Sequence, residues 1–224
     1  MRVLVPEILD GLAPEDPRAR RSRRDLARIN AVMRQSAIMA RALAGFPAPT
    51  VLADLGGGDG RFLLSVAKRL SKRWPGVQAL VCDRVDIISP ATRNDFARLG
   101  WRCESRTGDI FESLPQAGLM MANLFLHHFD DAALKRLLAR VAENGAGFVA
   151  CEPRRNGFAL LGAHMVWALG ANDVTRHDAV ASVRAGFNNP ELAALWPEGG
   201  AARRWRLDER SAWPFTHVFA AHAV

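Results

Sequence analysis

The chain has 224 residues, of which 49% are hydrophobic and 24% charged, and its formal net charge is +7. This length fits one sizeable domain with a small appendage, and the apolar content excludes a disordered chain. The longest apolar stretch, residues 158–170, is shorter than the roughly 20 residues of a membrane helix. We therefore expect no membrane span.

The cysteines and the basic residues indicate the surroundings in which the protein works. Cys82, Cys103 and Cys151 show no C-x-x-C spacing, so we expect buried free thiols, a reducing compartment and a cytoplasmic location. Basic residues cluster at 18–28 and 203–210. Such clusters either attract nucleic acid or anionic substrates, or form the solvated face of a helix.

The first 49 residues are predicted to be helical and basic. Leu26, Ile29, Met33 and Ala37 follow one another at helical spacing, with the arginines on other faces. The Gly-Phe-Pro-Ala-Pro stretch at 45–49 ends this pattern. The segment is either an ordinary surface helix or a cap over a site.

From residue 50 the chain alternates between strand-like and helix-like segments, which predicts a parallel sheet with helices on both faces. The predicted strands are 50–55, 77–82, 101–106, 118–124 and 147–151, and the predicted helices are 60–72, 89–99 and 130–143. Residues 153–197 are longer than one crossover needs and should hold two or three helices. Residues 203–209 and 215–224 are predicted to form a terminal hairpin, joined by residues 210–214.

A glycine-rich turn follows the first predicted strand. Its pattern, acid-x-Gly-x-Gly-x-Gly, consists of Asp54, Gly56, Gly58 and Gly60. Glycine permits a positive φ and lets a ligand approach the backbone, and Asp59 is placed to cap the helix that follows. A dinucleotide-binding loop would need a further glycine at 61, where this chain has Arg61.

This pattern resembles the cofactor loop of class I methyltransferases that use S-adenosyl-L-methionine (SAM), and a terminal hairpin is also typical of that family. The resemblance implies an α/β fold with a Rossmann-like, seven-stranded, mostly parallel sheet and a C-terminal antiparallel hairpin. It divides the chain into an N-terminal cap or lid at 1–49 and a SAM-binding methyltransferase domain at 50–224. Residues 153–197 would form a helical roof over the substrate.

The resemblance also implies which residues hold the cofactor, whose product is S-adenosyl-L-homocysteine. Asp54 would either lie near the amino group of SAM or orient the loop, and Asp83, at the end of the second strand, would accept hydrogen bonds from the ribose. Asp109 and Ile110 match the adenine-binding motif, and Asn123 ends the fourth strand. A lone acid after a strand is more often a helix cap, but these positions all follow strands whose carboxyl ends converge.

Two adjacent histidines are the candidate catalytic residues. The Leu-His-His-Phe-Asp-Asp segment at 126–131 resembles a segment of small-molecule methyltransferases, including quinone-biosynthesis enzymes. It is also similar to the H-D-W-x-D segment of plant phenol O-methyltransferases. On that motif His127 takes the position of the general base and His128 replaces the family's Asp. The alternative is that His127 only shapes its loop by bonding a backbone carbonyl.

The segment after the fifth strand supplies candidates for substrate contact. Arg176 and His177 are predicted to bind substrate, since 174–187 resembles the roof of methyltransferases associated with polyketide-type products. His164 lies in the apolar stretch at 158–170, where it either faces the substrate pocket or is a histidine of the core. Thr175 or Asp178 would cap the helix there. Apolar material for the pocket would come from Phe158, Met165, Trp167 and Phe187.

The preferred interpretation is a SAM-dependent methyltransferase that modifies a small molecule, at an oxygen of an aromatic or polyketide-like compound. The sequence leaves open carbon or nitrogen methylation, the acceptor and a homodimer, and it predicts no metal. One alternative is an RNA methyltransferase, disfavoured because residues 123–126 lack the D/N-P-P-Y/F/W segment. The other is a non-catalytic partner protein that keeps the fold.

Overall fold

The computed structural model describes residues 1–13, 15–197 and 204–224. The predicted beginning of the hairpin at Arg203 lies outside these residues.

Seven strands in the described part of the chain form one sheet in the order β3-β2-β1-β4-β5-β7-β6. They are β1 Val51–Leu55, β2 Gln78–Asp83, β3 Arg102–Thr107, β4 Leu119–Asn123, β5 Gly147–Pro153, β6 Trp205–Ala212 and β7 Thr216–Ala223. The first five are parallel, and β7 runs antiparallel to both β5 and β6. The predicted fold class is confirmed.

Eight α-helices of the described residues surround the sheet. They are α1 Pro17–Val32, α2 Gln35–Leu43, α3 Arg61–Leu70, α4 Pro90–Arg98, α5 Asp131–Asn144, α6 Gly157–His164, α7 Asp173–Ala185 and α8 Glu191–Leu195. Short 3-10 turns cover Leu9–Gly11, Leu126–His128 and Met165–Leu169. The region predicted as a roof therefore contains three helices.

The core lies in two apolar layers, one on each face of the sheet. One layer packs α2 and α3 against the sheet through residues such as Leu43, Leu63 and Val66. The other packs α5 through Leu134 and Leu137. Because both faces are covered, the carboxyl ends of β1, β2, β3, β4 and β5 form the exposed edge on which ligands bind in such sheets.

The prediction of one continuous apolar stripe in the N-terminal segment was wrong. Helix α1 ends at Val32 and α2 begins at Gln35, with Arg34 between them in a left-handed conformation at φ 55°. The stripe from 26 to 37 therefore lies on two helices. The residues that α1 buries most deeply are Ala19, Ser22 and Asp25, of which two are polar.

Polar contacts join α1 to the start of α7. The Asp25 carboxylate accepts from the backbone N–H of Asn172 at 3.0 Å, and the hydroxyls of Thr175 and Ser22 lie 2.9 Å apart. The N-cap of α7 is Asn172, whose side chain accepts from the Thr175 N–H, and not Thr175 or Asp178. Periodicity of apolar residues could not reveal this contact because hydrogen bonds hold it.

The terminal hairpin forms as predicted, with a shorter connection at 213–215. His217 is buried in β7, where its Nε2 lies 2.7 Å from Glu209 Oε1 on β6. Glu209 also accepts from two backbone N–H groups of α8, so these residues fasten the hairpin to that helix.

All three cysteines are free thiols; Cys82 and Cys151 are buried and Cys103 is half-buried. Burial, followed by the charge of Asp54, raises the pKa of Cys82 to about 12. None of the described helices combines the length and the apolar character that crossing a membrane requires.

Candidate active site

A cavity of about 610 Å³ lies at the carboxyl edge of the sheet. Its walls come from the glycine loop after β1, the residues that follow β2, β3 and β4, and the inner side of α1. On the α1 side, Arg23, Leu26 and Asn30 line it. Residues of the N-terminal segment thus line one side of this cavity, and its role as a cap stays a prediction.

The glycine loop is held to β2 and presents its backbone to the cavity. The N–H groups of Gly56 and Gly57 both donate to the carbonyl of Cys82, at 2.8 and 3.1 Å. Gly58, at φ +55°, has nothing within 4 Å of where a Cβ would stand. Gly60 is buried and begins α3 as its N-cap, and Asp59 Oδ1 accepts from the Arg61 N–H at 3.1 Å.

Two of the predicted cofactor acids lie beside this loop. Asp83 Oδ2 accepts from the Gly58 N–H at 2.8 Å and lines the cavity. Asp54 is buried beneath the loop at 2% exposure and does not line the cavity. Burial, reinforced by the negative charge of Asp83, raises the pKa of Asp54 well above its usual value.

The remaining predicted cofactor residues line the same cavity. Asp109 Oδ1 accepts from the Phe111 N–H at 2.8 Å, and Ile110 lies beside it. Asn123 ends β4, and its Oδ1 is buried without a hydrogen-bond partner among the described residues. A buried amide oxygen without a donor leaves room for a donor from a bound ligand.

His127 lies on the turn that follows β4, where Leu124 adopts a left-handed φ of 52°. Glu152 on β5 fixes this turn, because its Oε1 accepts from the N–H groups of Phe125 and Leu126. Its other oxygen, Oε2, lies 2.7 Å from His127 Nδ1. The imidazole is thereby oriented by a buried carboxylate.

The second nitrogen of His127 faces the N-terminal segment. Nε2 lies 3.2 Å from Oε1 of Glu7. Burial opposes protonation of His127, but the hydrogen bonds to Glu152 and Glu7 outweigh it and raise its pKa to about 9. Burial acts to raise the pKa of Glu7, yet hydrogen bonding and charge from His127 leave it lowered. The pair is an ion pair in this arrangement.

His128 stacks on His127, with ring centroids 4.4 Å apart. Its Nδ1 lies 3.2 Å from Asp10 Oδ2, and its Nε2 lies 4.0 Å from Glu7 Oε2. The hydrogen bond with His128 is the main cause that lowers the pKa of Asp10. Both candidate catalytic histidines line the cavity, as does Glu7.

The segment that carries Glu7 is held in place by several long-range contacts. The Arg2 guanidinium donates to the carbonyl of Phe129 at 2.9 Å and pairs with Asp131 at 2.8 Å. Asp178 on α7 accepts from the N–H groups of Ile8 and Leu9. The Ser182 hydroxyl, also on α7, donates to Glu7. Residues 2–12 therefore cross the histidine side of the cavity, and we name them the N-terminal strap.

The structure does not bring the three predicted substrate residues to this cavity. His164, Arg176 and His177 line a separate open depression of about 370 Å³. Of the predicted apolar pocket residues, Phe158, Met165 and Trp167 are exposed at the surface and Phe187 is fully buried in the core. These four do not form a pocket, because Phe158 on α6 and Met165 and Trp167 on the 3-10 turn after it face outward, whereas Phe187 packs inside the protein.

Sequence reasoning missed Glu7, Asp10 and Glu152. A signal existed for Glu152, which is the charged residue in a strand that is otherwise apolar and fully buried. Glu7 and Asp10 gave none, because they reach the histidines from about 120 residues away along the chain.

The family model of the O-methyltransferase domain matches residues 12–153. Acetylserotonin O-methyltransferase of Bos taurus is 34% identical over 114 residues, which cover 49% of this chain and 31% of that protein. Mitomycin biosynthesis 6-O-methyltransferase of Streptomyces lavendulae is 29% identical, over 58% of this chain and 36% of that protein.

Among solved structures, human N-acetylserotonin methyltransferase in complex with SAM superposes with a TM-score of 0.51 at 17% identity. That match covers 95% of this chain and 60% of the human protein, and it shows a shared fold. The matches to the two curated relatives thus span about a third of those proteins' lengths.

Proposed function

The chain belongs to the O-methyltransferase domain family, and from that premise we propose that it transfers a methyl group from SAM to a hydroxyl oxygen of a small-molecule acceptor. One observation carries the proposal: a single cavity joins a glycine-lined wall with three polar acceptors to a carboxylate-oriented histidine. Its volume of about 610 Å³ is within the roughly 300–1,000 Å³ of small-molecule sites.

The residues of the glycine side fit SAM. Asp83 accepts from the Gly58 N–H with Oδ2 and, at 3.5 Å, from the Val85 N–H with Oδ1, and the remaining lone pairs of its carboxylate can accept from ribose hydroxyls. Asp109 and Ile110 offer an acceptor and an apolar contact for adenine, and the unpartnered oxygen of Asn123 requires a donor. Asp54 supplies negative charge beneath the loop for a cationic amino group. When bound, SAM supplies a methyl group on a sulfonium centre, which is open to in-line displacement.

His127 serves as the general base in this proposal. Glu152 accepts from the Nδ1–H and orients the ring so that Nε2 faces the cavity. When an acceptor hydroxyl takes the place that Glu7 holds in this structure, Glu7 leaves with the proton of the ion pair, and Nε2 is left with a free lone pair. The hydroxyl proton then moves to Nε2, and the carboxylate of Glu152 stabilises the resulting imidazolium.

The wall beside His127 favours an aromatic acceptor. Phe111, Phe125 and Phe129 all line the cavity. The ring of Phe129 contacts the other two edge to face, with centroids 5.4 and 5.0 Å apart. An aromatic ring prefers such edge and offset contacts, so this trio can hold a phenol with its hydroxyl directed at the histidine.

Methyl-labelled SAM tests the proposal. The protein is incubated with it in the presence of a panel of phenols, a small-molecule extract and total RNA, and the labelled product is identified by mass. We expect label on the oxygen of an aromatic small molecule. Label in RNA, or SAM binding without transfer to any acceptor, would contradict the proposal.

A further inference from the structure

We infer that Glu7, His127 and His128 form a binding site for one divalent transition-metal ion of the zinc type. One ligand atom of each residue can be chosen so that all three lie within 4.8 Å of one another. The Glu7 carboxylate stands between the two imidazoles, 3.2 Å from Nε2 of His127 and 4.0 Å from Nε2 of His128. The sequence had predicted no metal, because Glu7 is remote from the histidines along the chain.

The outer nitrogens of both histidines are held in the way that metal-binding histidines usually are. Such a histidine nearly always donates its other ring N–H to a carboxylate, a carbonyl or a water, which fixes the tautomer and the orientation of the ring. Glu152 Oε2 lies 2.7 Å from Nδ1 of His127, and Asp10 Oδ2 lies 3.2 Å from Nδ1 of His128. Each imidazole is thus oriented by its own carboxylate, with its Nε2 directed at the Glu7 carboxylate.

The composition of the site selects the class of metal. Two imidazole nitrogens and one carboxylate are the ligand set of zinc sites that keep a coordination position open, whereas magnesium and calcium prefer oxygen ligands. Three carboxylates, Glu7, Asp10 and Glu152, surround the two rings and can balance a divalent charge. All three ligands line the cavity, so the open position faces the space where a small molecule would bind.

This inference goes beyond the proposed function, and metal binding can be measured without methyl transfer. An ion on Nε2 of His127 occupies the lone pair that the general-base step needs, so the metal-bound form should not transfer methyl groups by that step. Untagged full-length protein is treated with a chelator, desalted, and titrated with Zn²⁺ by calorimetry and with Co²⁺ by visible absorption. We expect one ion per chain and a cobalt d–d spectrum of low coordination number. A thiolate-to-metal charge-transfer band would instead assign the ion to a cysteine and overturn the inference.

Variants distinguish Zn²⁺ binding at these three residues from adventitious binding elsewhere on the protein. His128→Ala and Glu7→Gln should abolish stoichiometric binding, and circular dichroism checks that each variant folds. Both side chains reach the cavity surface, so these variants keep the test valid if the buried His127→Ala does not fold. Glu152→Gln, which removes an orienting carboxylate, should weaken Zn²⁺ binding by about 10- to 100-fold.

The matched control is His222→Gln, which removes a histidine that stacks on Phe46 outside the cavity and should bind Zn²⁺ as the unmodified chain does. Two results would refute the site: no stoichiometric ion in the unmodified chain, or equal affinity in His128→Ala and Glu7→Gln.

Discussion

At the scale of single residues, His127 is the proposed general base, and its replacement should separate catalysis from cofactor binding. It lies on the acceptor side of the cavity and contacts Glu7 and Glu152, not the glycine loop. His127→Ala should therefore keep its affinity for SAM and lose turnover by about 10²- to 10⁴-fold, the usual contribution of a general base. Calorimetry with SAM and initial rates with a labelled phenol measure the two quantities.

The control for this prediction alters the group that orients the His127 imidazole and leaves the imidazole itself in place. Glu152→Gln keeps a hydrogen-bonding group of similar size beside Nδ1 but loses the charge that stabilises the imidazolium. We expect an intermediate loss of turnover. Turnover of His127→Ala equal to that of the unmodified chain would show that His127 only shapes its loop.

Asp54 should make cofactor affinity depend on pH. Burial and the charge of Asp83 raise the pKa of Asp54 in the free protein, so its carboxyl stays neutral to a higher pH than an ordinary aspartate does. A cationic amino group bound nearby favours the carboxylate, so binding releases a proton and affinity increases as pH rises through the pKa of the free protein. Calorimetry with S-adenosyl-L-homocysteine, measured across mildly acidic to neutral pH, checks this.

Asp54→Asn should remove most of that slope, while Asp109→Asn, whose side chain lies at the exposed end of the cavity, should keep it. A slope that survives in Asp54→Asn would assign the proton to another group.

The candidate residues that can be found from the sequence are those whose position in the fold follows from where they stand relative to the strands along the chain. Asp54, Asp83 and Asn123 lie at the carboxyl ends of their strands and Asp109 follows β3, so the parallel topology alone places them at one edge. Glu7 reaches His127 through the tertiary path of the strap, and no local pattern encodes that path. Arg176 and His177 were assigned from the resemblance of a segment and His164 from its place in an apolar stretch, and α6 and α7 place all three at a separate depression.

At the scale of elements, two glycines of the loop after β1 should respond differently to alanine. Gly56 has φ +72°, and an added Cβ would stand 2.2 Å from the ring of Phe125, whereas Gly58 has φ +55° and open space. Both alanines incur the left-handed backbone penalty of about 1–2 kcal/mol. Gly56→Ala should lower the free energy of unfolding further, because the Phe125 ring must move.

Gly58→Ala should fold with only the backbone penalty but bind SAM more weakly, since its methyl group enters the cavity wall. Urea unfolding and SAM calorimetry on the two variants check the pair. Equal stability losses would mean that the turn carrying Phe125 moves freely.

The strap is the other element whose stability can be tested. Arg2 has a side chain only 7% exposed, pairs with Asp131, bonds backbone carbonyls and lies 4.2 Å over the ring of Phe187. Hydrogen bonds to a charged group contribute about 1.5–3 kcal/mol, so Arg2→Ala should increase amide hydrogen exchange in residues 2–12 and leave β1 and β4 protected. The exposed Arg98→Ala serves as the control, and unchanged exchange in the strap would mean that Asp178 and Ser182 hold it alone.

Most elements were predictable because apolar periodicity and turn residues agree, as in β1, α3 and β2. The break at Arg34 was not, since nothing in the local sequence requires a left-handed residue there. The polar contact of α1 with α7 was also hidden, because hydrogen bonds between distant residues leave no periodic trace.

At the scale of the whole molecule, the cavity lies between the carboxyl edge of the sheet and α1, which come from different parts of the sequence. The sheet edge contributes the glycine loop and the acids, while α1 covers it through Arg23, Leu26 and Asn30. A ligand that contacts both the sheet edge and α1 links them. Its binding should therefore stabilise the native state and slow amide hydrogen exchange in α1 in particular.

Ligand linkage sets the size of this effect. At a concentration of 100 times Kd, a ligand that binds only the native state adds about 2.7 kcal/mol to the free energy of unfolding. For a domain of 150–250 residues, 1 kcal/mol corresponds to roughly 2–4 °C in Tm, so the product predicts a rise of about 5–11 °C with S-adenosyl-L-homocysteine. Scanning calorimetry measures the shift, and hydrogen exchange should show new protection in Pro17–Val32 as well as in Arg61–Leu70. A full shift in Tm with no change in the exchange of α1 would mean that the ligand rests on the sheet edge alone, and that the N-terminal helix does not act as a cap.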